Sequence, residues 1–317
     1  MIEQMIQTVG WTLLQAAILM LLAPFIQGLI KKLKAGLQSR IGPRIFQSYY
    51  DIIKSLKKDA VISEQVSWLT KVTPYITFTS VITAGLLVPT FIANAPLSFA
   101  GDVIMVVYLL GLARFFTALT ALDAGSSFGG MGSSREMALG AIIEPALLLA
   151  LFTVCLSSGT TKLGQIVQII AEKQWNLIDP SYGLALLAML TVVIAEIGRI
   201  PVDNPDTHLE LTMIHEGMLL EYSGRYLGLM MWAAQIKQLV MLNLFISTFF
   251  PWGIAFNWSG KGLTAAIFIY LLKLVALGIV LAFIETAYAK IRLFKVPKLL
   301  ASSMALSVLA VIMRVVM

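Results

Sequence analysis

Six ionisable side chains stand inside stretches that are otherwise apolar: Arg114, Glu144, Glu196, Lys237, Lys273 and Glu285. A charge at the centre of a bilayer costs roughly 2.5–3.5 kcal/mol on insertion scales, so such residues usually face a bundle interior or an aqueous cavity. Desolvation favours the neutral form of a lysine and the acid form of a carboxyl, which lets a row of them hand protons along. The same residues could instead form static ion pairs that lock helices together. Taken singly, each fits either role; taken as a set, they point to ion conduction or coupling. At ~1.5 Å of rise per residue, Lys237 and Lys273 fall near the middle of their spans. Arg114 and Glu144 share a depth and are expected to pair. Glu196 and Glu285 lie nearer one surface.

Other chemistries find less support. The single cysteine, Cys155, lies in the apolar run 138–158, and one thiol cannot hold an iron–sulfur cluster or a nickel–iron centre. The two histidines, His208 and His215, would share a helix face but stand ~10 Å apart, too far to chelate one metal alone. Proton exchange or a polar contact suits His215 better, beside Glu216. The run Gly129-Gly130-Met131-Gly132 has no strand before it and no Lys-Ser/Thr after it, so it is not a nucleotide cradle. Ser133 with Glu136 fits a capping box opening a helix. Thr207 with Glu210 fits another, followed by a short helix reaching about Glu221.

These residues need a scaffold, and composition says which kind. The chain has 317 residues, 58% hydrophobic and only 13% charged, with a mean hydropathy of +0.86. Soluble domains carry about 25% charged residues. A bilayer core of ~30 Å takes about 20 apolar residues per helix. The expected fold is all-α and polytopic, a single membrane domain over 1–317. About eight spans fall near 9–30, 73–93, 103–121, 137–158, 181–200, 225–249, 262–286 and 299–315. No basic residue precedes the first apolar run, so the first helix is read as retained, not as a cleaved leader. Most of the 23 lysines and arginines fall in or beside the segments 31–72, 122–136, 201–224 and 287–298, the third flanked by Arg199 and Arg225. Lys162, Lys173, Lys261 and Arg314 are those on the other side. The positive-inside rule therefore puts those four segments in the cytoplasm and both termini outside. Within the first, Phe46, Tyr49, Ile53 and Leu56 recur at helical spacing, an amphipathic helix along the membrane or a partner. The +6 net charge is juxtamembrane and calls for anionic lipid, not nucleic acid.

Two ordered motifs carry a resemblance. Arg40-Ile41-Gly42-Pro43, then Gln47 and Tyr50-Asp51-Ile52-Ile53-Lys54, resembles the first cytoplasmic loop of the subunit 1 family of complex I. Glu196-x-x-Arg199-x-Pro201 followed by Glu221-Tyr222-Ser223-Gly224 resembles that family's fifth-span loop. Between them, Pro201-Val202-Asp203-Asn204-Pro205-Asp206-Thr207-His208-Leu209-Glu210-Leu211-Thr212 departs from the Glu-rich form of complex I. It looks like the branch serving group 4 energy-converting nickel–iron hydrogenases, of formate hydrogenlyase subunit 4 and hydrogenase-4 type.

The resemblance implies a subunit in a prokaryotic plasma membrane that links a peripheral arm to proton or sodium translocation. That arm would comprise hydrogenase large and small subunits and an iron–sulfur protein, with antiporter-like subunits as membrane neighbours. The nickel–iron centre and clusters would sit on those partners, with no cofactor and no catalytic residue in this chain. The resemblance places Asp51, Arg135, Glu136, Arg199, Asp203, Glu210, His215, Glu216 and Glu221 near the junction with the arm. A quinone-site subunit of a complex I-like dehydrogenase is the alternative. A standalone solute transporter is the second, disfavoured by the lack of an inverted repeat.

Overall fold

The computed structural model describes residues 2–93, 97, 101–173, 179–204, 213–256 and 260–316. Their order is α1 Ile2–Leu37, α2 Gln47–Lys57, α3 Trp68–Leu87, α4 Val103–Asp123, α5 Ser127–Ser158, α6 Leu163–Lys173, α7 Pro180–Glu196, α8 Gly224–Phe249, α9 Gly260–Ala287 and α10 Val296–Val316. Extended pairing among the described residues is limited to isolated bridges, Ile92 with Ala255 and Asp102 with Lys162. The fold is an all-α membrane bundle. Six helices (α1, α4, α5, α8, α9 and α10) are long and apolar enough to cross a membrane. The 20-residue α3 packs against α4 and α8, and the 17-residue α7 packs against α5 and α10. Large apolar side chains such as Leu13, Phe268, Leu272 and Phe283 remain exposed on the rim, as a bundle solvated by lipid requires.

The connections sort into two ends. At one, Ser223 Oγ accepts from Val61 N (2.8 Å) and donates to Val61 O (2.6 Å), while Ser67 N donates to Asp123 (2.9 Å). Arg135 donates to Met213 O (2.8 Å), and Ile291 N to Pro201 O (3.0 Å). Segments 31–72, 122–136, 201–224 and 287–298 therefore all meet at this one end. At the far end, Val103 N donates to Thr161 O (3.1 Å), Ala93 N to Ala255 O (3.1 Å), and Arg314 pairs with Asp179 (2.7 Å). The amphipathic α2 lies on α8 and α1, with Phe25 packing on Phe46 at 6.3 Å.

Several expected boundaries move. The segment 122–136 is not a loop, because α5 begins at Ser127, where Ser126 Oγ caps Gly129 N at 3.1 Å. Ser133 and Glu136 thus lie inside the helix and do not form its capping box. Ser133 Oγ donates instead to Ala118 O at 3.0 Å. The first turns of α5 pack under residues 213–218, and that burial outweighs the weak helix propensity of the glycines. α3 starts at Trp68 on a Ser67 cap and stops at Leu87, because Pro89 forces Val88 out of the helical region. α7 ends at Glu196, since Gly198 takes φ +63° and Pro201 follows. α6 was not expected. The Thr207–Glu210 box lies outside the described residues; among the described residues after it, 213–221, the helical element is a 3-10 turn, Glu216–Met218.

The two-ended arrangement has a direct check. Lys58 and Lys162 are both exposed, one at each end. Single cysteines replacing them are expected to react with an impermeant thiol reagent from opposite sides of sealed vesicles; same-side labelling would contradict the bundle.

Candidate functional site

Arg114, buried on α4, meets carboxylates from two other helices. Its Nη1 lies 2.7 Å from Glu144 Oε1 and its Nε 3.2 Å from Glu136 Oε1, both on α5, while Nη2 pairs with Glu196 at the end of α7. Glu196 in turn holds Lys237 of α8 at 2.8 Å. Gly140 makes the space: a Cβ there would stand 2.6 Å from Arg114 Nη1. Guanidinium suits this hub because its planar fork offers five donors and stays charged when buried.

The row continues to the end where Val61, Asp123 and Ser223 lie. Glu136 Oε2 lies 3.3 Å from His215 Nε2, His215 Nδ1 lies 3.3 Å from Asp203 Oδ2, and Asp203 Oδ1 lies 2.8 Å from Lys290 Nζ. Gly198 lets the ring in, since a Cβ there would be 2.8 Å from Nδ1. Burial and the facing Lys237 disfavour an imidazolium, but Glu136 and Asp203 outweigh them and raise the His215 pKa above its ordinary 6.5. Burial likewise opposes ionised Asp203, yet His215 and Lys290 hold its carboxyl well below the usual range. In this row four carboxylates (Glu136, Glu144, Glu196, Asp203) face three basic side chains (Arg114, Lys237, Lys290). A cavity of about 90 Å³ touches Arg114, Glu136, His215 and Lys237, room for about three waters at ~30 Å³ each. Glu144 ends the row in a lateral cavity of about 680 Å³ beside Tyr108, Leu112 and Phe115.

A second cluster lies alongside. Arg199 is buried and pairs with Glu285 (3.1 Å), donates to Gln238 (2.8 Å) and holds Gln27; Lys34 also reaches Glu285 at 3.2 Å. The structure thus brings together five of the six intramembrane charges in two adjacent clusters. It sets Lys273 apart, donating to Phe250 O (2.6 Å) and to Trp252 O. Of the junction residues, Glu136, Arg199 and Asp203 point inward and are buried. Arg135 and Glu216 are half-buried, Asp51 accepts from Gln47 (2.9 Å), and Glu221 is exposed. Glu210 lies outside the described residues. Sequence reasoning missed Gln27, Lys34, Gln238, Lys290, Gly140 and Gly198. The two glutamines stand in apolar runs and could have been flagged; the glycines carried no such signal. Among the described residues no group of three or more His, Cys, Asp or Glu is arranged for a metal.

The NADH dehydrogenase family profile matches residues 10–316. The chain belongs to that family. Among curated members it is 36% identical over 293 residues to formate hydrogenlyase subunit 4 of Escherichia coli, covering 92% of this chain and 94% of that one. It is 37% identical over 281 residues to hydrogenase-4 component C of the same organism, covering 88% and 87%. A subunit of the NADH-quinone oxidoreductase of Symbiobacterium thermophilum is 26% identical over 277 residues, covering 83% and 81%. A subunit of the archaeal membrane-bound sulfane sulfur reductase shares the fold, with a TM-score of 0.84 at 20% identity over 97% of this chain and 99% of that one.

Two outcomes follow for this family member. Replacing Arg114 by Met takes the guanidinium away from three carboxylates and leaves Glu196 to Lys237 and Glu136 to His215 alone, and breaking a buried network this way costs about 3–5 kcal/mol. The protein is expected to lose its sharp melting transition or to fail to accumulate. The raised His215 pKa stabilises the fold fully below pH ~6.5, and that stabilisation fades as pH rises through the folded value. His215→Gln is therefore expected to melt below wild type near pH 6, with the gap closing toward pH 9 in detergent melts.

Proposed function

We propose that this chain is the membrane coupling subunit of a hydrogen-evolving redox complex in a prokaryotic plasma membrane, with both termini outside. In this reading it joins a peripheral nickel–iron hydrogenase arm, made of large and small subunits and an iron–sulfur protein, to proton or sodium movement through antiporter-like neighbours. The nickel–iron centre and the clusters belong to the arm. The single observation that carries the reading is the row of charged side chains from Lys290 to Glu144. It begins at the end where the basic loops meet and finishes at a half-exposed carboxylate on the side of the bundle. A passive anchor needs no such row, and each buried charge in it costs stability. The names and near-full-length coverage of the two Escherichia coli relatives support the hydrogenase branch over the quinone branch. The arm's docking surface is read at the junction end, where Ile41, Tyr50, Val61, Glu221 and Phe294 are exposed.

Ion uptake by sealed vesicles, measured beside hydrogen turnover, tests the coupling. Glu144→Gln and Lys237→Met are each expected to keep an assembled complex while at least halving the ions moved per hydrogen. An unchanged ratio in both would reduce the row to a brace. Quinone reduction without hydrogen turnover in the wild-type complex would move the chain to the quinone branch.

The two kinds of junction residue separate in a second experiment. Glu221→Ala alters an exposed side chain and is expected to lower the yield of co-purifying arm without shifting the melting of the membrane part. Arg199→Ala strips Glu285 of its guanidinium, so both arm yield and melting temperature are expected to fall.

A further inference from the structure

Lys273 raises a problem that the charged row does not solve. Its ammonium lies within the bundle wall, half-buried, and the groups it touches are the carbonyls of Phe250 and Trp252 where the chain leaves α8. Among the described residues no carboxylate pairs with it. The carboxyl end of a helix offers about half a negative charge, so a substantial positive charge stays uncompensated in apolar surroundings. Two of its three N–H donors are used, and one remains.

Beside it, α7, α8 and α9 frame a cavity of about 320 Å³, within the ~300–1,000 Å³ range of small-molecule sites. Leu186 and Leu190 of α7, Phe245 of α8, and Leu277 and Val280 of α9 line it, with Lys273 as its charged residue. The lining has a direction. Lys273 stands toward the far end of the bundle and not at the expected middle of its span, since Phe250 and Trp252, which it touches, lie just past the end of α8. Leu277, Val280 and Leu190 lie one to two helical turns deeper, some 6–11 Å at ~1.5 Å per residue. A cation at the outer edge above an apolar stem matches an amphiphile with an anionic head and a hydrocarbon tail. Trp252 at that edge suits the same boundary, where indole rings are enriched.

We propose that this cavity holds an acyl chain of an anionic phospholipid whose headgroup phosphate pairs with Lys273. The lipid supplies the missing counter-charge and fills the gap between α7 and α9, which lack extensive direct packing on each other. The site is independent of the charged row and of the coupling role.

Native mass spectrometry of the full chain released from mixed micelles tests this, with phosphatidylglycerol and phosphatidylcholine of identical acyl chains as probes. Wild type is expected to retain one phosphatidylglycerol in preference to phosphatidylcholine by about tenfold, the weight of one partly buried charge pair. Lys273→Met should erase the preference and Lys273→Arg should keep it. Leu277→Trp, which fills the stem, should lower retention of both lipids. Excess inorganic phosphate should leave the preference intact; competition by it would assign the site to a free anion and overturn the proposal. Equal retention of the two lipids by wild type would also overturn it, and that comparison requires no variant to fold.

Discussion

Arg114 is charged, buried and hemmed in by helices, so the bundle has to bring it anions or not fold. It draws Glu136 and Glu144 from α5 and Glu196 from α7, which ties three helices through one planar group. Lysine could not take its place, being a point charge without the fork that addresses three carboxylates at once. Hydrophobic contacts alone would let α4, α5 and α7 slide or rotate by a fraction of a turn at small cost. Pairing inside a low-dielectric interior does not, because any such movement leaves a buried charge exposed to nothing.

The end of α7 links the two polar clusters. Glu196 faces Arg114 and Lys237, whereas Arg199 faces Glu285 and Gln238. Lys237 and Gln238 are consecutive on α8 and divide in the same way. A small displacement of the turn at Gly198 would therefore pull on both clusters together and on the His215 ring packed against it. The motif Glu196-x-x-Arg199 is short because its members must serve partners on opposite sides of one turn.

Much of this was legible in the residues. Charged side chains in apolar runs are conspicuous, and matching their depths gave the Arg114–Glu144 pair that the structure places at 2.7 Å. The loops that gather at one end were also legible from the basic residues in or beside them. What periodicity could not supply was anything set by close approach between distant segments. The helical start of α5 depends on burial under residues 213–218, and a glycine-rich stretch viewed locally reads as a loop. The partners of Lys237 and Lys290 come from other elements, and depth along a helix does not give azimuth around it. Lys273 shares the residue type and the apolar setting of Lys237 yet lies in another part of the bundle.

The charged row also has a direction in which it does not go. Beyond Glu144, α5 runs to Ser158 through Ala146, Leu147, Ala150, Leu151 and Val154 with no further Asp, Glu, Lys or Arg. α7 carries none before its last residue. Some 21 Å of helix at ~1.5 Å per residue therefore separates Glu144 from the far end. Along α5 and α7 the far half is therefore a low-dielectric layer, and the row of charges reaches only partway through it. The row leaves the bundle sideways, where Glu144 borders the lateral cavity beside Tyr108 and Phe115.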